Sequence, residues 1–158
     1  MRLDEIKRVK ILRLVFATFI FALTAAAIVG ADASWLTDYK QAQEQAKASN
    51  KLMLLEFTGS DWCPPCMRLK KDVLSTPEFQ DYAGKNFVLV ELDFPRGKEQ
   101  PRELAAQNQE LASRFGIEVF PSVIILDGNG KKVGELLGYD PRATVKMYID
   151  ELEKARKG

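Results

Sequence analysis

The chain has 158 residues, of which 46% are hydrophobic and 28% charged, which is enough apolar material for one compact domain and a targeting segment. Its net charge of +1 excludes the broad basic field with which proteins bind nucleic acid. The sequence has no histidine, which excludes Cys–His and Ser–His–Asp nucleophiles and most zinc sites, and two cysteines are too few for a scaffold of several disulfides.

The N-terminal segment has the layout of a signal peptide. Residues 2–13 are rich in basic side chains, residues 14–29 are apolar apart from two threonines, and Ala31-Asp32-Ala33 is a small-x-small pattern of the kind found before a cleavage site. The apolar stretch is also near the lower length limit for a membrane-spanning helix, so an uncleaved anchor remains an alternative. We expect residues 1–33 to be a signal peptide or a membrane anchor, and residues 34–158 to be an exported domain.

The first half of this domain predicts helices and two strands. The predicted elements are, in order, a helix over 35–48, a strand over 52–57, a helix over 63–74, a short helix that starts at Thr76-Pro77, and a strand over 87–93. The first strand is an apolar run that only Glu56 interrupts, as expected of a central strand buried on both faces. Strand, helix and strand together predict a right-handed βαβ unit.

The second half predicts a helix, a hairpin and a closing helix. The predicted elements are a polar loop over 95–100, a helix over 102–115 that ends at Gly116, strands over 122–126 and 132–137, and a helix over 141–155. Asp127-Gly128-Asn129-Gly130 is a strong hairpin turn between the two strands.

The motif that could carry out a reaction is Trp62-Cys63-Pro64-Pro65-Cys66, which lies between a predicted strand and a predicted helix. Two intervening residues in a first helical turn bring the cysteine Cα atoms into the range of about 4.4–6.8 Å that a disulfide requires. Free N–H groups and the positive end of the helix dipole lower the pKa of the first thiol. Cys63 is therefore expected to be the nucleophile and Cys66 the resolving thiol, with Pro65 stiffening the turn.

Other interpretations of the cysteine pair carry less weight. Two thiolates without histidine or further cysteines make an incomplete zinc site. Copper(I) accepts two thiolates, but the sequence offers no other copper ligand. A buried, inert pair is the remaining alternative. We expect no metal and no bound cofactor.

A second motif precedes the hairpin. In Val119-Phe120-Pro121-Ser122 the proline stands directly before a strand, which is compatible with a cis bond, although an isolated X-Pro bond is usually trans. A cis bond here would expose the backbone of Phe120 to an extended substrate segment.

Together these residues resemble the thioredoxin superfamily over most of residues 35–155. The matching pieces are Glu56-Phe57, the 62–66 motif, Phe115-Gly116-Ile117, Phe120-Pro121-Ser122, the 127–130 turn and Gly138. Residues 57–62 and 92–95 are similar to an exported bacterial subgroup that includes periplasmic thioredoxins and the C-terminal domain of the transmembrane disulfide reductase. The resemblance implies an α/β thioredoxin-like fold with a mixed central sheet flanked by helices, a cis Pro121, and the roles given above for Cys63 and Cys66.

The resemblance also supplies a candidate proton shuttle. The family usually has a buried acid before the cysteine motif, and Glu56 fits that role, although the loop from Glu56 to Cys63 is one residue longer than usual. A strand-end acid that reaches solvent is the alternative. Leu89 occupies the place expected for the lysine that often accompanies this acid.

Further residues near the motif have expected places at the surface. Trp62 is expected to shield the disulfide and contact substrate together with Phe120 and Pro121, and a side chain that merely covers the helix start is the alternative. We interpret Asp61 as a solvated charge, and the loop 96–100 as a solvated connection. The cations Arg68, Lys70 and Lys71 are expected on an exposed helix face, and tuning of the local electrostatic potential is the alternative role.

The predicted function is that of an exported, periplasmic thiol–disulfide oxidoreductase that acts on protein disulfides or thiols, in the reducing direction. A membrane redox partner is expected to recycle it, and residues 14–29 are a possible tether that would keep the domain outside the cytoplasm. The alternatives are an oxidase that donates disulfides and a redox-inert chaperone or binding module on the same fold.

Overall fold

The computed structural model describes residues 34–157, so the predicted signal peptide or anchor lies outside the described residues. Within these residues, no helix has both the length and the apolar character needed to span a membrane. The strands are β1 (Trp35–Leu36), β2 (Leu52–Thr58), β3 (Phe87–Asp93), β4 (Ser122–Leu126) and β5 (Lys132–Leu137). The helices are α1 (Tyr39–Ser49), α2 (Pro64–Leu69), α3 (Pro77–Asn86), α4 (Arg102–Phe115) and α5 (Val145–Ala155), and α2 continues into a π-turn at Lys70–Leu74.

The five strands form one mixed sheet in the order β1-β3-β2-β4-β5. β1 and β2 both lie parallel to β3, and β4 runs antiparallel to β2 and to β5. β2 is therefore a central strand, and all but the first of its residues are buried, as its apolar run predicts. The mixed sheet and its flanking helices confirm the predicted fold class.

Each face of the sheet is covered by helices, and β2 supplies side chains to both. Met53, Leu55 and Phe57 belong to the core with α1 and α4, whereas Leu54 belongs to the core with α2, α3 and α5. Because side chains alternate along a strand, Glu56 points to the same face as Leu54. The carboxyl group thus lies on the side of the sheet that the cysteine helix covers.

Two helix starts differ from the prediction. Trp35 and Leu36 form a short strand that pairs with Leu89 and Val90, and the helix begins only after Asp38, whose side chain accepts a hydrogen bond from the Gln41 N–H. The predicted helix over 35–48 is therefore wrong at its start, because pairing with β3 takes up its first residues.

The closing helix also starts later than predicted, at Val145 instead of residue 141. The side chain of Thr144 accepts a hydrogen bond from the Met147 N–H and caps the helix there. The preceding Asp140 accepts hydrogen bonds from the backbone and side chain of Arg142, which hold a turn.

The cysteine helix is not α-helical throughout. It was predicted as one helix to Leu74, but the Ser75 N–H donates to the Lys70 carbonyl at 2.9 Å, a spacing of five residues. Such a π-turn inserts one extra residue into the helix. Leu69 before the π-turn and Val73 and Leu74 within it are buried in the core on the face of the sheet that this helix covers, and they hold the segment there.

Candidate active site

Cys63 and Cys66 form a disulfide at the start of α2, with Cα atoms 5.3 Å apart. Cys63 is the N-cap residue, and its Sγ accepts a hydrogen bond from the Cys66 N–H at 3.3 Å. Pro64 and Pro65 occupy the first turn and are exposed, while both cysteines are buried in this disulfide form. The helix start thus offers a donor to the Cys63 sulfur, as expected for a group that must carry negative charge.

The second motif lies beside the first. The Phe120–Pro121 bond is cis, and the Pro121 carbonyl accepts a hydrogen bond from the Gly138 N–H at 2.8 Å. The rings of Trp62 and Phe120 are in edge contact, with centroids 5.6 Å apart. Within residues 34–157 the backbone N–H and C=O of Phe120 make no hydrogen bond, so they are free for an extended polypeptide.

The indole ring of Trp62 is held between the loop after β2 and the loop after β3. Its Nε1 donates to the Phe94 carbonyl at 2.7 Å, and the Phe94 ring lies 5.3 Å from that of Phe120. A Cβ at Gly59 would lie within 2.7 Å of three atoms of the indole ring, so only glycine fits beneath it. We call Trp62, Phe94 and Phe120 the aromatic platform.

The loop that follows β3 belongs to the site. The Asp61 carboxylate accepts the Arg96 N–H at 3.0 Å and the Gly97 N–H at 2.6 Å, and these bonds lower the pKa of Asp61. The guanidinium of Arg96 lies 3.8 Å from the centroid of the Trp62 ring. Asp61 is exposed, as predicted for a solvated charge, but it also bonds to the loop 96–100 through Arg96 and Gly97, which the sequence did not indicate.

A second carboxylate anchors the base of the same loop. Asp93 accepts hydrogen bonds from the Ser60 N–H at 2.9 Å and the Ser60 hydroxyl at 2.7 Å, and it pairs with Lys98 at 3.0 Å. Burial alone would raise the pKa of Asp93, but these bonds lower it. The loops after β2 and β3 are therefore joined at two points.

Glu56 is fully buried, and neither carboxylate oxygen has a hydrogen-bond partner among the described residues. Burial, reinforced by the neighbouring Glu91, raises the pKa of Glu56 from 4.5 to about 8, against the opposing effect of Lys70. The acid is therefore protonated at neutral pH and releases its proton near the pH at which thiols ionise. Glu56 is therefore not a strand-end acid in contact with solvent, and its role as a proton shuttle stays a prediction.

The charges around Glu56 differ from the sequence prediction. Glu91, not Leu89, is the residue of β3 opposite Glu56, because Leu89 pairs with Leu54. The lysine comes from the π-turn instead of the strand, since Lys70 forms an ion pair with Glu91. Lys70 is exposed, as predicted, and its charge also lowers the pKa of Glu56, which is the alternative role given above.

The surface around the cysteine helix is partly apolar. A cleft of about 230 Å³ lies against its start, lined by Pro64, Pro65, Arg68, Tyr139 and Pro141. Met67 and Val119, adjacent in sequence to Cys66 and Phe120, are 46% and 48% exposed. The sequence analysis assigned no place at the site to Met67, Val119, Phe94 or Arg96, and only the apolar type of the first three offered any signal.

The sequence that contains these site residues matches a known family of protein domains. The profile of the thioredoxin-like domain family matches residues 39–153. The chain belongs to the thioredoxin-like family. The matched range contains the cysteine pair, Glu56, the aromatic platform and the cis proline.

Several relatives of this thioredoxin-like chain carry names from disulfide chemistry. It is 34% identical over 130 residues to the disulfide bond reductase DsbH of Chlamydia pneumoniae, covering 82% of this chain and 76% of DsbH. It is 32% identical to the thioredoxin-related protein DsbJ of the same organism, of which it spans only 40%. A solved structure of a DsbH oxidoreductase superposes with a TM-score of 0.73 at 34% identity, covering 80% of this chain and 86% of the other.

The geometry of this thioredoxin-like site suits dithiol–disulfide exchange. A disulfide lies at a helix N-terminus, a carboxyl group with a raised pKa is buried on the face of the sheet that the helix covers, and a free backbone edge adjoins an aromatic surface. Exchange needs an ionisable thiol, a second thiol within reach and access for a polypeptide disulfide. Sequence and structure together place these features within one family of known redox proteins.

Proposed function

We propose that this chain is an exported thiol–disulfide oxidoreductase that reduces protein disulfides through Cys63 and Cys66. The observation that carries the proposal is the cysteine pair at the start of α2, with the Cys66 N–H directed at the Cys63 sulfur. The name of the DsbH relative, a disulfide bond reductase, supports the same chemistry.

The reaction starts from the dithiol form. The Cys63 thiolate attacks one sulfur of the substrate disulfide, forming a mixed disulfide and expelling the other substrate sulfur as a thiolate, which takes up a proton. Cys66 then loses its proton and attacks the Cys63 sulfur. The Cys63–Cys66 bond forms, the second substrate thiol leaves, and two electrons have passed to the substrate.

Glu56 is proposed as the group that takes the proton from Cys66. A pKa of about 8 makes its carboxylate a base of nearly the strength of a thiolate, so proton transfer between them is almost balanced. The Glu56 side chain lies on the face of the sheet that α2 covers, which carries Cys66 in its first turn. The proton is returned when the pair is reduced again.

The reducing direction rests on the residues between the cysteines. Strong oxidants of this fold stabilise the thiolate, often with a histidine between the cysteines, and here both positions are proline. We expect a potential nearer that of thioredoxin, about −270 mV, than that of DsbA, about −120 mV.

The potential of the purified protein decides between reductase and oxidase. Equilibration with glutathione buffers, followed by Trp62 fluorescence, measures it directly. A value near −120 mV together with a Cys63 pKa below 5 would support the disulfide-donating oxidase instead.

Export and recycling complete the proposal. The layout of residues 1–33 supports delivery to the periplasm, with cleavage after Ala33 or retention by the 14–29 segment. The oxidised pair then needs a dithiol donor, for which we propose a membrane redox protein. N-terminal sequencing of the protein from its own host distinguishes cleavage from retention. A chain that starts at Ser34 supports cleavage, and a chain that starts at Met1 in the membrane fraction supports the anchor.

A further inference from the structure

The loops after β2 and β3 are joined at their tips by one exposed carboxylate. Asp61 accepts the Arg96 N–H and the Gly97 N–H, although about 35 residues separate them in sequence. Its side chain has no part in the hydrophobic core, since Asp61 itself is exposed. The bond between the loops therefore shapes the surface and not the interior.

We call the two hydrogen bonds from the Arg96 and Gly97 N–H groups to Asp61 the clamp. The clamp holds the residues that surround Trp62. Arg96 is stacked on one face of the indole ring, and Phe94, two residues earlier, accepts the indole N–H and contacts Phe120. Releasing the Arg96 and Gly97 N–H groups frees this segment at its tip, while Asp93 still anchors its base through Ser60. The aromatic platform then loses its outer support, but the cysteine helix keeps all of its own bonds.

We propose that Asp61 is a positioning residue for polypeptide substrates: by clamping Arg96 and Gly97 it keeps the aromatic platform in the shape on which an extended disulfide-bearing segment lies. This inference rests on the proposed exchange function. A small disulfide reaches the Cys63 sulfur without lying along Trp62 and Phe120, so its reaction does not depend on the clamp. A protein disulfide must also use the platform and the free backbone of Phe120.

The test compares two substrates across matched variants. Insulin, with dithiothreitol as the electron donor, serves as the polypeptide disulfide. 5,5′-Dithiobis(2-nitrobenzoic acid) serves as the small one and is added to pre-reduced protein freed of dithiothreitol, because dithiothreitol reduces it directly. Asp61→Ala removes every acceptor, Asp61→Asn keeps one oxygen, and Gly97→Ala keeps the charge but places a Cβ 3.1 Å from the Asp61 carboxylate. Asp127→Ala is the control, because Asp127 likewise accepts two backbone N–H groups, at the end of β4 away from Pro121.

We expect Asp61→Ala to lower kcat/KM for insulin about fivefold or more, chiefly through KM, with the small disulfide unaffected. Asp61→Asn should restore part of the loss, Gly97→Ala should reproduce it in weaker form, and Asp127→Ala should leave the ratio of the two rates unchanged. Acrylamide quenching of Trp62, measured in a Trp35→Phe background, should increase in Asp61→Ala.

Other outcomes overturn the proposal. An equal loss for both substrates, or an equal effect of Asp127→Ala, would mean that Asp61 only stabilises the fold. Unchanged quenching of Trp62 would show that the clamp does not hold the platform, whatever the rates. If the wild-type protein reduced neither substrate, the proposed function itself would fail, which the quenching measurement distinguishes from failure of the clamp.

Discussion

Glu56 and Glu91 lie directly opposite each other in the parallel pairing of β2 and β3. Paired residues of neighbouring strands point to the same face, so the two carboxyl groups share one side of the sheet. Burial disfavours the charged form of Glu56, and repulsion from Glu91 adds to this effect, so Glu56 holds its proton. Lys70 neutralises the outer carboxylate and limits the effect on the inner one.

The raised pKa of Glu56 predicts a particular dependence of stability on pH. The unfolded chain releases this proton near pH 4.5 and the folded protein near pH 8, so the unfolded state binds fewer protons in between. Stability therefore falls as pH rises through this window. The side chain of Glu56→Gln cannot ionise, so this loss of stability should be absent from the variant. We expect the free energy of unfolding of the variant, relative to that of the wild type, to increase by on the order of 4 kcal/mol between pH 5 and pH 9.

Chemical denaturation at several pH values measures this difference. Glu110→Gln, a change at an exposed acid of α4, is the matched control and should follow the wild type. The same Glu56→Gln protein should resolve mixed disulfides about ten- to hundredfold more slowly and lack the rise in rate near pH 8. An unchanged rate from pH 6 to pH 9 would remove Glu56 from the mechanism.

Changes at the outer ion pair should shift the pKa of Glu56 in opposite directions. Glu91→Gln removes a charge that raises this pKa, and Lys70→Gln removes one that lowers it. We expect the midpoint of the pH–rate profile to move down in the first variant and up in the second. Carboxyl-carbon NMR titration of Glu56 measures the same shifts without turnover.

The pair Lys85 and Asp81 provides the control for these variants, because it is an exposed ion pair on α3. Lys85→Gln should leave the midpoint where it is. Shifts of the same sign in Glu91→Gln and Lys70→Gln would contradict the proposed electrostatic coupling.

The two cysteines should differ in what they trap. With Cys66→Ala, attack by Cys63 on insulin proceeds but the mixed disulfide cannot be resolved, so a covalent complex should accumulate. With Cys63→Ser the nucleophile is absent and little complex should form. Mass spectrometry under non-reducing conditions measures both, and equal trapping would reverse the assigned order.

Gly59→Ala should displace the indole ring of Trp62 from its position above Gly59. The added Cβ overlaps the indole ring, and relief of this overlap must move either the ring or the loop. We expect a loss of about 1–3 kcal/mol in stability and greater solvent exposure of Trp62. Near-ultraviolet circular dichroism, followed during denaturation, measures the stability, and Trp62 fluorescence in a Trp35→Phe background measures the exposure of the indole ring. Gly128→Ala in the distant hairpin turn serves as the comparison. Unaltered spectra would show that the close packing is not required.

The parts of the fold that local chemistry determines were predicted correctly. The apolar run of β2, the 127–130 turn and the caps at Thr76-Pro77 and Gly116 are all encoded within a few residues. The same holds for the cysteine pair at the helix start, which needs only a helical turn. The cis state of Pro121 came from family resemblance, because the local signal is weak.

The missed features depend on contacts between distant segments. β1 has two residues, too few for a periodic pattern, and exists because it pairs with β3. The register that sets Glu91 opposite Glu56, and the bonds from Asp61 to Arg96, join segments about 35 residues apart. No local pattern of side chains specifies such pairings.

The π-turn at Lys70–Leu74 has a consequence for the angular phase of the cysteine helix. An α-helix turns by about 100° for each residue, so one inserted residue offsets the two ends of the helix by that angle. The first turn must present Cys66 and Leu69 inward, while the last must deliver the chain to the Thr76 cap. A chain shorter by one residue at this point would satisfy only one of these ends, and rotating the other would turn the cysteine pair out of line with Phe120.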